Sequence, residues 1–317
     1  MRPTNFIITA ILATGASALA ADRTLSSEAV PNAIYFSADG LTLNASCRDG
    51  HIRTWDVATG KALRDKVVPA RTVLIAPNIY AEHDAKNNTV RVWDLTAERQ
   101  LQLINGAASR RTAISGSGKR MATANPDERN VRIWNMVDGE QTQVLADGIG
   151  GASELFFSPN GEILVSANYD NDVRVWKTKS GEMVKKVEDL TGAMFTGAFT
   201  HDGKHLIMAG LDETVYIWDA KTFALDRKLK GHGETISAMA ISPDDRTLIT
   251  GGFDVTSSAN PVTVAFWDLA SGKITRTVRA PHQVASLAFS PDAKWVAVAS
   301  GEKLISLWSL EPGGVPQ

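Results

Sequence analysis

Val90-Arg91-Val92-Trp93-Asp94, Val131-Arg132-Ile133-Trp134-Asn135, Val173-Arg174-Val175-Trp176-Lys177 and Val215-Tyr216-Ile217-Trp218-Asp219 are four near copies of one string. Alternating, largely β-branched residues of this kind suit a strand that packs against its neighbours on a pleated surface. Looser copies end at Trp55, Trp267 and Trp308, so tryptophan recurs at intervals of 38, 41, 42, 42, 49 and 41 residues. A period near 42 with such a strand in every copy predicts a repeat architecture of four-stranded blades.

A second landmark lies upstream of each tryptophan. Phe36-Ser37-Ala38-Asp39-Gly40, Phe157-Ser158-Pro159-Asn160-Gly161, Phe199-Thr200-His201-Asp202-Gly203, Ile241-Ser242-Pro243-Asp244-Asp245 and Phe289-Ser290-Pro291-Asp292-Ala293 each end an apolar strand in a turn. Proline presets φ there, and Asp-Gly or Asn-Gly supplies the side-chain bond and positive φ of a tight hairpin. Ile75-Ala76-Pro77-Asn78 and Ile114-Ser115-Gly116-Ser117-Gly118 are degraded copies. Each unit reads as an inner strand, a second strand after the turn, a third with the tryptophan, and a fourth after turns such as Thr59-Gly60 or Ser180-Gly181.

The chain resembles the WD40 repeat family over essentially all of residues 21–317. That family runs from a Gly-His pair to a Trp-Asp pair, and the sixth unit fits it best, with Gly231-His232, Thr250, Asp254 and Trp267-Asp268. The resemblance implies a buried structural network of His232, Thr250, Asp254 and Trp267. Trp134-Asn135, Trp176-Lys177 and Trp308-Ser309 depart from the terminal pair, and Gly231-His232 is the one Gly-His pair at the start of a unit, which suggests a divergent bacterial member.

The expected fold is all-β: a seven-bladed β-propeller of four-stranded antiparallel blades, seven lying within the usual range of four to eight. The last unit offers three strands before Glu311-Pro312-Gly313-Gly314, so Arg23 to Ser27 is expected to supply its fourth and close the ring. Before that segment, Arg2, the apolar run Phe6 to Ala13 and the triplet Ala18-Leu19-Ala20 read as a signal peptide over residues 1–20, cleaved after Ala20. A Gram-negative periplasm, or secretion, is the expected destination, with no stable membrane anchor after cleavage.

The apolar share of 44% suits a globular chain, and 33 basic against 35 acidic residues give no net field to concentrate nucleic acid. Cys47 is the lone cysteine, which excludes an intrachain disulfide and reads as a small buried hydrophobe. The six histidines show no metal-binding spacing, and no cofactor fingerprint occurs.

Loops on a rigid ring vary without refolding it, which makes them the place to look for binding residues. In WD40 proteins the residue just inside each inner strand faces the channel mouth. Counting back four from the landmark gives Asn32, Arg71, Arg110, Ser153, Phe195, Ser237 and Ala285. Arg71 and Arg110, with Arg111 and Arg129 nearby, read as a basic sector able to grip a carboxylate or phosphate, set against ordinary solvated rim arginines. Tyr169 and the Phe253-Asp254 arm, which opens the insertion Val255 to Asn260, read as anchors for a partner. Arg53, Arg91, Arg132 and Arg174 share one strand position and read as inter-blade architecture. His232 with Asp254 does not make a catalytic triad, which needs an exposed nucleophile and an oxyanion donor set.

The reading is a non-enzymatic binding or scaffold module, a monomeric disc that docks another periplasmic or secreted protein. The alternative is a small-molecule binder or enzyme using the central channel, which requires several acidic or histidine side chains converging from different blades.

Overall fold

Seven times over, the chain runs back and forth through four antiparallel strands and then steps sideways to begin again. The computed structural model describes residues 22–69, 71–107, 109, 111–125, 129–146, 151–187, 190–254, 261–301 and 303–310. The expected signal peptide lies outside the described residues. Twenty-eight strands make seven four-stranded sheets among the described residues. The first blade contains β2 (Pro31–Phe36), β3 (Thr42–Cys47), β4 (His51–Asp56) and β5 (Ala62–Val67). The other inner strands are β6 (Thr72–Ala76), β10 (Arg111–Ile114), β14 (Ala152–Phe157), β18 (Met194–Phe199), β22 (Thr235–Ile241) and β26 (Val284–Phe289). They touch in sequence from β2 round to β26 and back to β2, which makes the ring.

The seventh sheet has the order β1-β28-β27-β26, so β1 (Arg23–Ser26) is the outer strand of the last blade, beside β28 (Leu304–Ser309) and β27 (Trp295–Ser300). Leu25 faces Ile305 in that pairing and is 1% exposed. The ring closes as the sequence leads one to expect, by joining the first described strand to the last.

No single core holds the disc together. Seven apolar clusters each straddle one junction between neighbouring blades. Every repeat tryptophan packs toward the preceding blade, as Trp176 does among Ala113, Ile133 and Leu145 of the third. Directly before Trp55, Trp93, Trp134, Trp176, Trp218 and Trp267 the pairing with the outer strand slips by one residue. Such bulges increase the twist of a sheet.

The Trp-Asp pairs have a physical reason. Asp56 Oδ1 accepts from the Thr59 amide and hydroxyl, both at 2.7 Å, and Asp219 and Asp268 bind Thr222 and Ser271 alike. These carboxylates cap the third-to-fourth-strand turn and are held below the ordinary carboxylate range by the side-chain and backbone bonds they accept. Where Lys177 replaces the acid, its Nζ instead reaches Glu182 at 2.9 Å.

The arginine stripe requires a correction. Arg53 grips Asp49 at 2.7 Å and Arg174 grips Asp172 at 2.5 Å, so these two clamp their own blade's second-to-third-strand turn. Arg132 reaches the preceding blade, at Gly106 O, 2.5 Å away. Inter-blade straps come from the outer strands instead: Arg64 donates to Leu95 O, Gln143 to Lys179 O and Arg227 to Leu269 O.

Candidate functional site

Antiparallel order brings two kinds of connection to one face: the junctions between blades and the turns from second to third strand. On this junction face the backbone is pinned. Arg48 N donates to Val30 O, Tyr169 N to Gly151 O, Leu211 N to Ala193 O and Gly301 N to Gln283 O, at 2.7–3.1 Å. In each case the first residue of a second-to-third-strand turn is fixed to the preceding junction while its side chain stays out of the ladder.

That register position decides the character of the face. Leu164, Leu206 and Leu248 pair with Trp176, Trp218 and Trp267, and five residues beyond them stand Tyr169, Leu211 and Phe253. Three consecutive blades thus carry a large apolar residue at the same place. Tyr169 is 56% and Leu211 45% exposed, and the Phe253 ring lies 6.3 Å from that of Phe195. Phe195 is itself the bulged residue between Met194 and Thr196, turned out of the inner ladder. Counting back four from the landmark therefore finds a bulge in five blades, at Asn32, Ser153, Phe195, Ser237 and Ala285. Leu211 escaped the sequence reading. Asp254 follows Phe253 at the base of the insertion, whose residues 255–260 lie outside the described residues.

The basic sector is arranged differently from the sequence expectation. In the second blade Leu74, not Ile75, pairs with Tyr80 as Phe36 pairs with Leu43, because Pro77-Asn78 makes a shorter turn and Ile75 is bulged out. The slip moves Arg71 one step inward, so it matches Arg111 rather than Arg110. Arg110 lies outside the described residues. Arg71 and Arg111 stand at the level of Ala33, Glu154, Thr196, Ala238 and Ser286, one residue inside the bulge positions. Arg129 sits apart in a turn of the third blade with φ 52°.

Glu154 is the carboxylate at this level. Burial pushes it up from 4.5 to about 7, and the nearby Arg111 guanidinium opposes that rise. Tyr35, two residues on from Ala33, is pushed up to about 12 by burial and by the charge of Glu154. His83 lies beside Arg71, and burial together with that cation pushes it down to about 4, which keeps it neutral. Among the described residues, no group of three His, Cys, Asp or Glu is placed to hold a metal ion.

In the sixth blade, Trp267 Nε1 donates to Thr250 Oγ1 at 2.8 Å. His232 is buried, and its pKa is lowered by that burial. Trp134 and Trp176 repeat the indole bond with Thr123 and Ser166. Cys47 is buried, and burial pushes its thiol up to about 11, far from a reactive thiolate.

The family described as "WD domain, G-beta repeat" matches residues 141–177, 187–219, 224–254 and 272–309. The fold is a WD40-type seven-bladed β-propeller. Its sequence repeats are offset from its blades: residues 141–177 hold the outer strand of one blade and three strands of the next. Among curated proteins, this WD40-type chain is similar to human apoptotic protease-activating factor 1, 29% identical over 136 residues, which is 38% of the chain and 11% of that protein. It is also similar to the periodic tryptophan protein 2 homolog of Dictyostelium discoideum, 23% identical over 155 residues, 44% of the chain and 16% of that protein. The matched part is thus no more than 16% of either relative's length.

Proposed function

We propose that this propeller is a non-enzymatic docking module whose junction face, over blades four to six, binds another protein. A WD40-type ring is a scaffold consistent with protein–protein interaction. The observation that carries the reading is the recurrence of Tyr169, Leu211 and Phe253 at one register position of three successive blades, with Phe195 packed against the last. Their backbone is already pinned, so binding would cost little ordering, and aromatic and aliphatic groups on a rigid frame make strong anchors. The segment 1–20 supports a periplasmic or secreted setting, in which the partner would be another exported protein.

Affinity capture with the native protein and with Tyr169→Ser/Leu211→Ser tests this. Val137→Ser serves as control, since Val137 is as exposed but lies on the opposite face. A partner lost with the double variant and kept with the control supports the reading. Equal recovery with both removes this face from the argument.

A further inference from the structure

The charges of the junction face are mostly answered within the chain. Asp49 pairs with Arg53, Asp170 and Asp172 with Arg174, and Glu234 with Arg279. Arg71, Arg111 and Glu154 differ. They stand at one level on three successive blades, yet Arg71 and Arg111 make no side-chain hydrogen bond or ion pair with another described residue, and Glu154 is met only by the backbone amide of its neighbour Leu155. Arg111 and Glu154 are near enough for each to act on the other's charge without closing a pair.

We propose that the channel rim at blades two to four binds a small amino-acid-like zwitterion, its carboxylate between Arg71 and Arg111 and its ammonium against Glu154. Two guanidinium groups on adjacent blades suit a carboxylate, and a carboxylate in the next blade suits the positive group on the same molecule. Room exists because the same level carries only Ala33, Thr196, Ala238 and Ser286 on the other blades. His83, behind Arg71, is neutral and adds no competing charge. Tyr35, on the first blade, is near enough to feel the charge of Glu154. An incoming ammonium ionises Glu154, and the proton held there passes to the buffer. This inference stands apart from the protein-docking reading, which uses other residues.

The probes are the common L-α-amino acids, each at up to 10 mM, with their N-acetyl and amide derivatives. At least one free amino acid is expected to raise Tm. Either derivative should bind at least about tenfold more weakly, and so should the free form to Arg71→Gln, Arg111→Gln or Glu154→Gln. Calorimetry at pH 7 in two buffers of different ionisation enthalpy should show about half a proton released by the native protein and none by Glu154→Gln. Circular dichroism establishes that each variant is folded. The proposal is overturned if no amino acid shifts Tm, if N-acetyl forms bind as tightly as free ones, or if binding survives Arg71→Gln/Arg111→Gln.

Discussion

Replacing Leu25 with alanine tests the closure of the ring at its smallest part. β1 is four residues long, yet Leu25 is 1% exposed and packs with Leu43, Trp55, Ile305 and Leu307 across the seam between the last blade and the first. A leucine so buried costs ~2–5 kcal/mol when cut to alanine, depending on how far the site collapses. Collapse is limited here because both walls belong to other strands: Gly60 lies close behind the side chain, and Arg23 holds the seam by donating to Val57 O at 2.5 Å and stacking 5.0 Å over Trp295. We therefore expect about 3 kcal/mol, read as a fall in Tm of about 5 °C for a chain of this size. The comparison is Leu63→Ala on the outer strand of the first blade, where the side chain is 53% exposed and the expected change is within ~0.5 kcal/mol. Thermal unfolding by tryptophan fluorescence measures both. Equal effects from the two substitutions would show that β1 is a decoration rather than the clasp, and the account of closure would fail.

Glu154→Gln should stabilise the protein at high pH and leave it unchanged at low pH. Folded Glu154 titrates near 7 and unfolded near 4.5, so below 4.5 both states are protonated and nothing is lost. As pH rises from there to about 7 only the unfolded state ionises, and the folded state loses up to ~3 kcal/mol, cut to ~1–2 by water in an open channel. Denaturation at pH 4 and pH 8 checks this; a gain from glutamine at pH 4 as large as at pH 8 contradicts it. Val298→Thr should stabilise the seventh blade. Trp308 Nε1 is buried and makes no hydrogen bond with a described residue, and Val298 stands where Thr250, Thr123 and Ser166 receive their tryptophans. A buried hydroxyl normally costs free energy, but here it meets a waiting donor, for a gain of ~1 kcal/mol. A fall in Tm of more than about 3 °C would mean that the indole is not within reach.

Blade count and strand order were legible because each rests on a signal repeated seven times, and a degraded copy is rescued by its neighbours; closure followed from the one fourth strand the last unit lacks. Register in the second blade was not. The Pro77-Asn78 turn is shorter than its counterparts, and a count anchored on Ile75 slips by one, which flips the side a residue faces. That one slip joined Arg71 to Arg110 in the sequence reading, whereas the register joins it to Arg111. Glu154 went unremarked inside Ala152-Ser153-Glu154-Leu155-Phe156-Phe157, although a single acid in an otherwise apolar inner strand is a signal open to sequence reasoning. Leu211 was missed for another reason: the turns that carry Tyr169, Leu211 and Phe253 differ in length, so their shared position shows only when counted from the paired leucines.

That shared position also explains how the face can specialise without weakening the ring. The amides of Arg48, Tyr169, Leu211 and Gly301 tie one turn to one junction, whereas their side chains take no part in the bond. The fold therefore demands a backbone there and is indifferent to the residue, and the blades differ accordingly: a cation in the first, an aromatic in the fourth, an aliphatic in the fifth, nothing in the seventh. Folding leaves about half of Tyr169 and Leu211 uncovered, 56% and 45% exposed, and that half gains nothing from it. Burying them on a partner returns roughly 25 cal/mol for each Å² of apolar surface removed from water. Their replacement should change stability by no more than ~0.5 kcal/mol. For that reason a partner lost with the Tyr169→Ser/Leu211→Ser protein reports a contact and not a loosened disc, and a fall in its Tm beyond about 3 °C would show that these side chains serve the fold after all.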